Sequence, residues 1–143
     1  MNWDETAITV RFNEVDAYQV AWHGHYVSWM EIGRLNLARR FGLDPFQLAA
    51  LGYLGPVVQL ELKYLRPARC HDQLSVRTTL EPSEAANLIF LAEIIGQDGQ
   101  RLATGRTVHA LTDLQGVLQF RLPETVVASV AQLAEWAAGG TQA

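Results

Sequence analysis

The sequence predicts an α+β fold in which an antiparallel sheet is built around one long, largely buried helix, with a second helix at the C-terminus. Three observations point there. An alternating stretch opens the chain, a four-and-three apolar repeat follows over about 24–41, and nearly everything from Val57 to Phe120 alternates like strand.

Taken in order, Thr6 to Asn13 places Ile8, Val10 and Phe12 on one face and Thr9, Arg11 and Asn13 on the other, as a half-buried strand does. A polar bend runs from Glu14 to Gln19. From about Gly24 to Phe41, Tyr26, Met30, Gly33, Leu37 and Phe41 recur at helical spacing, and Trp29, Ile32 and Leu35 widen the apolar surface. Little of such a helix can face water, so a sheet must wrap it or a partner subunit must cover it. Gly42 stands where a C-terminal cap belongs. Asp44-Pro45-Phe46-Gln47 has the form of a capping box with Pro at the first helical position, opening a short helix that ends near Gly52.

The strand region divides into segments. Val58, Leu60, Leu62 and Tyr64 oppose Gln59, Glu61 and Lys63, and Leu74 to Leu80 alternates in the same way. Leu88 to Ile95 is apolar on both faces except at Glu93, which suits a central strand. Asp98-Gly99 is a hairpin turn signal, Leu102 to Thr112 the returning strand, and Val117 to Phe120 a last short strand after a turn. Pro123-Glu124 opens an amphipathic helix carrying Val127, Val130, Leu133 and Ala134. One domain over 1–138 is expected, with a frayed tail over 139–143.

Composition narrows the function classes. A net charge of −4 and a pI near 5.5 give no footprint for nucleic acid, although Lys63, Arg66 and Arg69 form a small patch suited to a few phosphates. The one cysteine, Cys70, excludes an internal disulfide and a Cys-based zinc cage; a half-buried structural thiol is the expectation for it. The N-terminus lacks the basic and apolar regions of a signal peptide, and no stretch approaches the roughly 18 apolar residues of a membrane helix. A cytoplasmic protein without membrane insertion is expected.

The chemistry should lie between Arg11 and Arg34. Asp16 sits in the bend, where a carboxylate is solvated and ionised at neutral pH, able to attack a carbonyl or to deprotonate a water. The helix after it offers N–H groups with no intrahelical partner at the positive end of its dipole, which can stabilise a developing oxyanion. Gly24 would let a ligand approach the backbone there. The ordinary alternative for Asp16 is a helix cap or turn former, a reading weakened by the intervening Val20, Ala21 and Trp22. The His23 side chain could serve as base, water-orienting group or cap. His23 and His25 with Asp16 could be read as metal ligands, but residues two apart near a helix start diverge, and no metal is expected. Glu31 and Arg34 should pair three apart on the helix, while His71 and His109 read as turn and strand surface residues. Tyr26 and Trp29 suit the core, and Trp22 a pocket wall.

These residues resemble the 4-hydroxybenzoyl-CoA thioesterase-like branch of the hotdog superfamily, which includes the acyl-CoA thioesterases associated with the Tol–Pal system. The family carries D-A-x-G-V-V-(Y/W)-H-x-x-Y, then E-x-x-R on the central helix; here Asp16, Ala17, Val20, Trp22, His23, Tyr26, Glu31 and Arg34 fall in register. Lys63-Tyr64-Leu65-Arg66-Pro67-Ala68, with Asp72 after it, is similar to the family's second motif. Gln19 departs from the usual Gly, Ala21 from a common Val, and Glu14-Val15 from the frequent acidic pair. The resemblance implies a hotdog fold and hydrolysis of an acyl thioester, on coenzyme A or a carrier protein, without cofactor. It implies Asp16 as nucleophile or general base, His23 with its N–H as a principal oxyanion donor, and Gln19, Trp22, Gly24 and Tyr26 near the acyl group. Arg66 or Arg69 would meet phosphates, and a homodimer or homotetramer would carry the site across an interface. A hotdog hydratase or dehydratase on hydroxyacyl thioesters, and a non-catalytic acyl-binding protein, are the rival readings.

Overall fold

The opening alternation forms a strand, β1 (Asp4–Thr9), in the computed structural model, which describes residues 1–141. It stops before Val10 instead of continuing to Asn13. A 3-10 turn over Phe12–Glu14 swings Phe12, expected on the buried face, into solvent. The side chain this turn buries is Glu14, only 4% exposed. Its carboxylate accepts from the Arg11 N–H at 2.8 Å and from Trp29 Nε1 at 3.0 Å. Burial pushes that carboxyl up, but these donors and the Arg11 charge outweigh it and hold it below the usual range.

The expected long helix is α1 (His25–Arg40), followed by Gly42 with φ +74°. The capping box closes as expected: Asp44 Oδ1 accepts from the Gln47 N–H at 2.8 Å, and Gln47 Oε1 from the Asp44 N–H at 3.0 Å. It starts α2 (Pro45–Ala50). After the short β2 (Tyr53–Leu54) come β3 (Val57–Tyr64), β4 (Gln73–Glu81), β5 (Asn87–Ile95) and β6 (Arg101–Ala110). They join β1 in one antiparallel sheet of order β1-β4-β5-β6-β3. The returning strand breaks at Leu111, and β7 (Thr112–Asp113) pairs with β2 instead. No strand forms over Val117–Phe120. Asp113 Oδ1 accepts from the N–H groups of Gln115 and Val117, folding this stretch into a turn, and Leu118 makes an isolated bridge to Thr112.

The sheet wraps α1, whose inner face of Tyr26, Trp29, Met30, Gly33, Leu37 and Ala38 is buried. Contact with β4 is closest at Gly33, where a Cβ would lie 2.6 Å from Thr78 Oγ1 and 2.7 Å from Val76 Cγ1. A glycine there lets helix and sheet touch almost backbone to side chain. The C-terminal helix α3 (Glu124–Ala137) covers the far end of the core with Val126, Leu133, Trp136 and Ala137, while Val127 faces out. Gly139 and Gly140, placed in the expected tail, are tied down: the Gly140 N–H donates to Glu135 O, and Asn2 Nδ2 donates to Gly140 O. Residues 142 and 143 of that tail lie outside the described residues.

Two surfaces stay open. On α1, Val27, Ser28, Glu31 and Ile32 are exposed. On β3 only Leu62 is partly covered, so the buried face expected from its alternation is absent in the single chain. The reason is its place at the edge of the sheet.

Candidate active site

The bend between β1 and α1 is a tight loop whose base is an antiparallel bridge between Val15 and Ala21. The Asp16 N–H donates to Val20 O and the Gln19 N–H to Asp16 O, both at 3.0 Å. Closing this turn forces Gln19 into the left-handed region at φ +67°, which gives a physical reason for the glycine that the resembling family prefers there. Asp16 Oδ1 accepts from the Tyr18 N–H at 2.8 Å, which fixes the carboxylate in the turn. The Ala21 N–H donates to Ala68 O at 2.8 Å, tying the loop to the segment after β3.

That second segment makes the opposite wall. Tyr26 is buried, and its hydroxyl accepts from the Ala68 N–H at 3.0 Å. Tyr64 stands edge-on to Tyr26, ring centres 5.0 Å apart, and its hydroxyl donates to the His23 carbonyl at 2.6 Å. Burial pushes both phenols above the ordinary tyrosine range. The result is an open cleft of about 360 Å³ bounded by Asp16, His23, Tyr26, Tyr64, Arg66 and Pro67.

The start of α1 leaves donors facing no acceptor. Gly24 is the N-cap residue and no side chain caps the helix, so neither Asp16 nor His23 does that job. The His25 N–H donates to Trp22 O and the Val27 N–H to Gly24 O, whereas the N–H groups of His23 and Gly24 have no hydrogen-bond acceptor among the described residues. An anionic carbonyl oxygen is what such a pair can hold.

The structure therefore gathers four of the eight expected residues, Asp16, His23, Tyr26 and Arg66, in one cleft. Trp22 lies outside its lining, packed 4.9 Å from the His23 ring and 5.5 Å from His25. Gly24 has ordinary helical dihedrals, and a Cβ there would strike the Trp22 ring at 2.1 Å, so the glycine makes room for the indole. Gln19 shapes the turn, and its exposed side chain lies outside the cleft lining. Arg69 lies outside the lining, in the next turn, where its backbone N–H donates to Asp72 Oδ2 at 2.8 Å. Tyr64 is the residue that sequence reasoning missed. Its signal was present, since a tyrosine ending an edge strand inside the second motif has an apolar ring to pack and a hydroxyl to place.

Elsewhere, His109 corrects an expectation. It is 6% exposed, Nδ1 donates to Gly55 O at 2.9 Å, and Nε2 lies 3.0 Å from Thr107 Oγ1. Burial, with the Arg34 charge nearby, pushes its pKa down to about 4. Cys70 is half-buried. Among the described residues no three His, Cys, Asp or Glu side chains converge, and no helix is long and apolar enough to cross a membrane.

A five-stranded antiparallel sheet around a central helix, with a carboxylate loop at that helix's start, defines a hotdog-fold protein. The chain belongs to the thioesterase-like superfamily, whose profile matches residues 10–133. It is 30% identical over 126 residues to a Synechocystis protein named as an esterase, covering 87% of this chain and 76% of that one. It is 26% identical over 123 residues to YneP of Bacillus subtilis, named as an acyl-CoA thioesterase, with 85% and 89% covered. Among solved structures, a DHNA-CoA thioesterase from Staphylococcus aureus superposes with a TM-score of 0.86 at 22% identity, covering 99% of this chain and 97% of that one.

Proposed function

We propose that this protein hydrolyses acyl thioesters of coenzyme A or of a carrier protein's phosphopantetheine arm, releasing a free acid and a thiol. The observation that carries the reading is the pairing of two features in one cleft. The Asp16 carboxylate is fixed in its turn by the Tyr18 N–H, and His23, whose N–H has no acceptor among the described residues, lines the same cleft; the Gly24 N–H, likewise without an acceptor there, adjoins it. Relatives named as acyl-CoA thioesterases support CoA as the carrier.

Asp16 serves as nucleophile or general base at the thioester carbonyl. The two N–H groups receive the oxyanion, and its collapse expels the thiolate, which takes up a proton. With Asp16 as base, water attacks the carbonyl, Asp16 takes its proton and the free acid forms directly; with Asp16 as nucleophile, the acyl–Asp16 anhydride is then cleaved by water to free acid and the restored carboxylate. Arg66, exposed at the rim, meets phosphate of the carrier. A single hotdog domain over 1–138 is the catalytic unit.

The long, apolar, unpaired edge of β3 supports a homodimer in which two copies join β3 to β3, extending the sheet. Because β3 runs antiparallel to its copy, the Tyr64 end of one strand then lies beside the Val57 end of the other.

Thiol release from a panel of acyl-CoAs tests the reading, comparing wild type with Asp16→Asn and Asp16→Ala. Both variants should lose at least 100-fold in kcat. No release by wild type from any CoA or carrier-protein thioester would sink the hydrolase reading, and full activity in Asp16→Asn would sink the site assignment alone. Rapid-quench capture of an acylated Asp16 peptide separates nucleophile from base.

A further inference from the structure

A second cavity, of about 250 Å³, lies at the other end of β3 and shares no lining residue with the Asp16 cleft. Its walls are mostly apolar, with Leu35 and Ala38 from α1, Leu48 from α2, Leu54 from β2, Val57 from the edge strand β3, and Phe90 from β5. An apolar cavity of roughly 150 Å³ already holds a benzene ring, so this one is large enough for an acyl group.

Three polar side chains interrupt the lining: Glu31, Arg34 and His109. His109 is neutral, and both of its ring nitrogens are engaged, one by Gly55 O and one by Thr107 Oγ1. Glu31 is 70% exposed and stands in water at the mouth. Arg34 differs from both. Its side chain is only 18% exposed, and its one ionic partner is Glu31 at 3.6 Å, beyond hydrogen-bond distance. The guanidinium, which borders this mostly apolar chamber, thus makes no hydrogen bond among the described residues. Burial pulls the Arg34 pKa below its ordinary value, and the Glu31 charge opposes that shift. A ligand oxygen would supply what the fold does not.

Resting on the hydrolase and dimer reading above, we infer that this cavity receives the acyl group of a thioester held at the partner subunit's Asp16 cleft, and that Arg34 selects acyl groups carrying an oxygen acceptor at the end remote from the thioester. The β3-to-β3 pairing brings the Val57 rim of one protomer beside the Tyr64 wall of its partner, so the two chambers become one path. A carboxylate satisfies the guanidinium fork best, a hydroxyl less well, and a methyl terminus leaves it bare.

The test uses hexanoyl-, 6-hydroxyhexanoyl- and adipoyl-CoA, which differ only at the remote carbon. In wild type kcat/KM should rise in that order, by roughly 10- to 100-fold from first to last. Arg34→Met should collapse the ratio to below about threefold, and Arg34→Lys should keep part of it, with far-UV circular dichroism confirming folded protein. Should Arg34→Met not fold, Val57→Trp at the rim supplies the second variant. It should cut adipoyl-CoA turnover at least tenfold more than acetyl-CoA turnover. Equal rates on hexanoyl- and adipoyl-CoA in wild type, or a ratio that survives Arg34→Met, overturn the inference. Calorimetric binding of S-hexyl-CoA and S-(5-carboxypentyl)-CoA reads the cavity without turnover. If the carboxylated thioether binds more tightly although no thioester is cleaved, the hydrolase reading fails and Arg34 selection stands. If thiol is released but the thioethers bind equally, the hydrolase reading stands and Arg34 selection fails.

Discussion

The Tyr64 hydroxyl and the His23 backbone carbonyl are joined by a 2.6 Å hydrogen bond that spans the cleft wall from β3 to the start of α1. Because the peptide is planar and trans, holding that carbonyl also aims the Gly24 N–H in the opposite direction. One phenol thereby orients half of the proposed oxyanion site. Tyr64→Phe should lower kcat about tenfold with little change in KM, and destabilise the fold by about 1 kcal/mol. Thiol-release kinetics and urea unfolding measure the two effects. An unchanged kcat would show that the carbonyl needs no tether.

Gln19 holds a left-handed backbone at φ +67° without the freedom of glycine. Gln19→Gly relieves that strain, partly offset by the added entropy of the unfolded chain, for a net gain of about 0.5–1 kcal/mol. The midpoint of denaturant unfolding should rise accordingly. A fall would mean that the glutamine side chain contributes more than its backbone costs.

His109 makes stability depend on pH. Folded, its pKa is about 4; in the unfolded chain it is about 6.5. Above the higher value neither state binds the proton. As pH falls below it, the unfolded chain protonates first, so stability drops by about 2 kcal/mol between pH 7.5 and pH 5. Unfolding curves across that interval should show the slope in wild type and a flatter one in His109→Gln.

Gly33 is where α1 sits on β4, with Thr78 and Val76 inside the space that a methyl group needs. Gly33→Ala should cost about 1–3 kcal/mol despite alanine's better helix propensity. Differential scanning calorimetry measures the loss, and paired Gly33→Ala, Val76→Ala substitutions should restore part of it.

The periodic elements were legible because their side chains answer to a single neighbour surface. The α1 repeat, the Asp44–Gln47 box and the central β5 run all fold as their spacing implies. What the sequence hid depends on distant partners. Phe12 and Glu14 exchange inside and outside because Trp29, fifteen residues on, offers Glu14 a donor. His109 looked like a surface residue because nothing local announces that Gly55 and Thr107 will satisfy its ring. At the site, Asp16 and His23 could be read from motif and helix start, whereas Tyr64 stood in the second motif with its role unannounced. Its role exists only once β3 lies against α1. Gly24 was legible as a required glycine, but not the Trp22 ring that packs against it, because that rotamer is set by the folded surroundings.

The hydrogen bonds that seat the Asp16 loop have a consequence for how the chain reaches its working form. Ala21 is bonded to Ala68, Val10 to both His71 and Asp72, and Tyr64 to His23, each bridging more than forty residues. The β4-β5-β6 meander, by contrast, closes through short turns. Local hairpins form sooner than contacts that must first close long loops. During refolding the sheet's circular dichroism should thus recover before thiol-releasing activity does, because the loop carrying the reactive carboxylate is docked last.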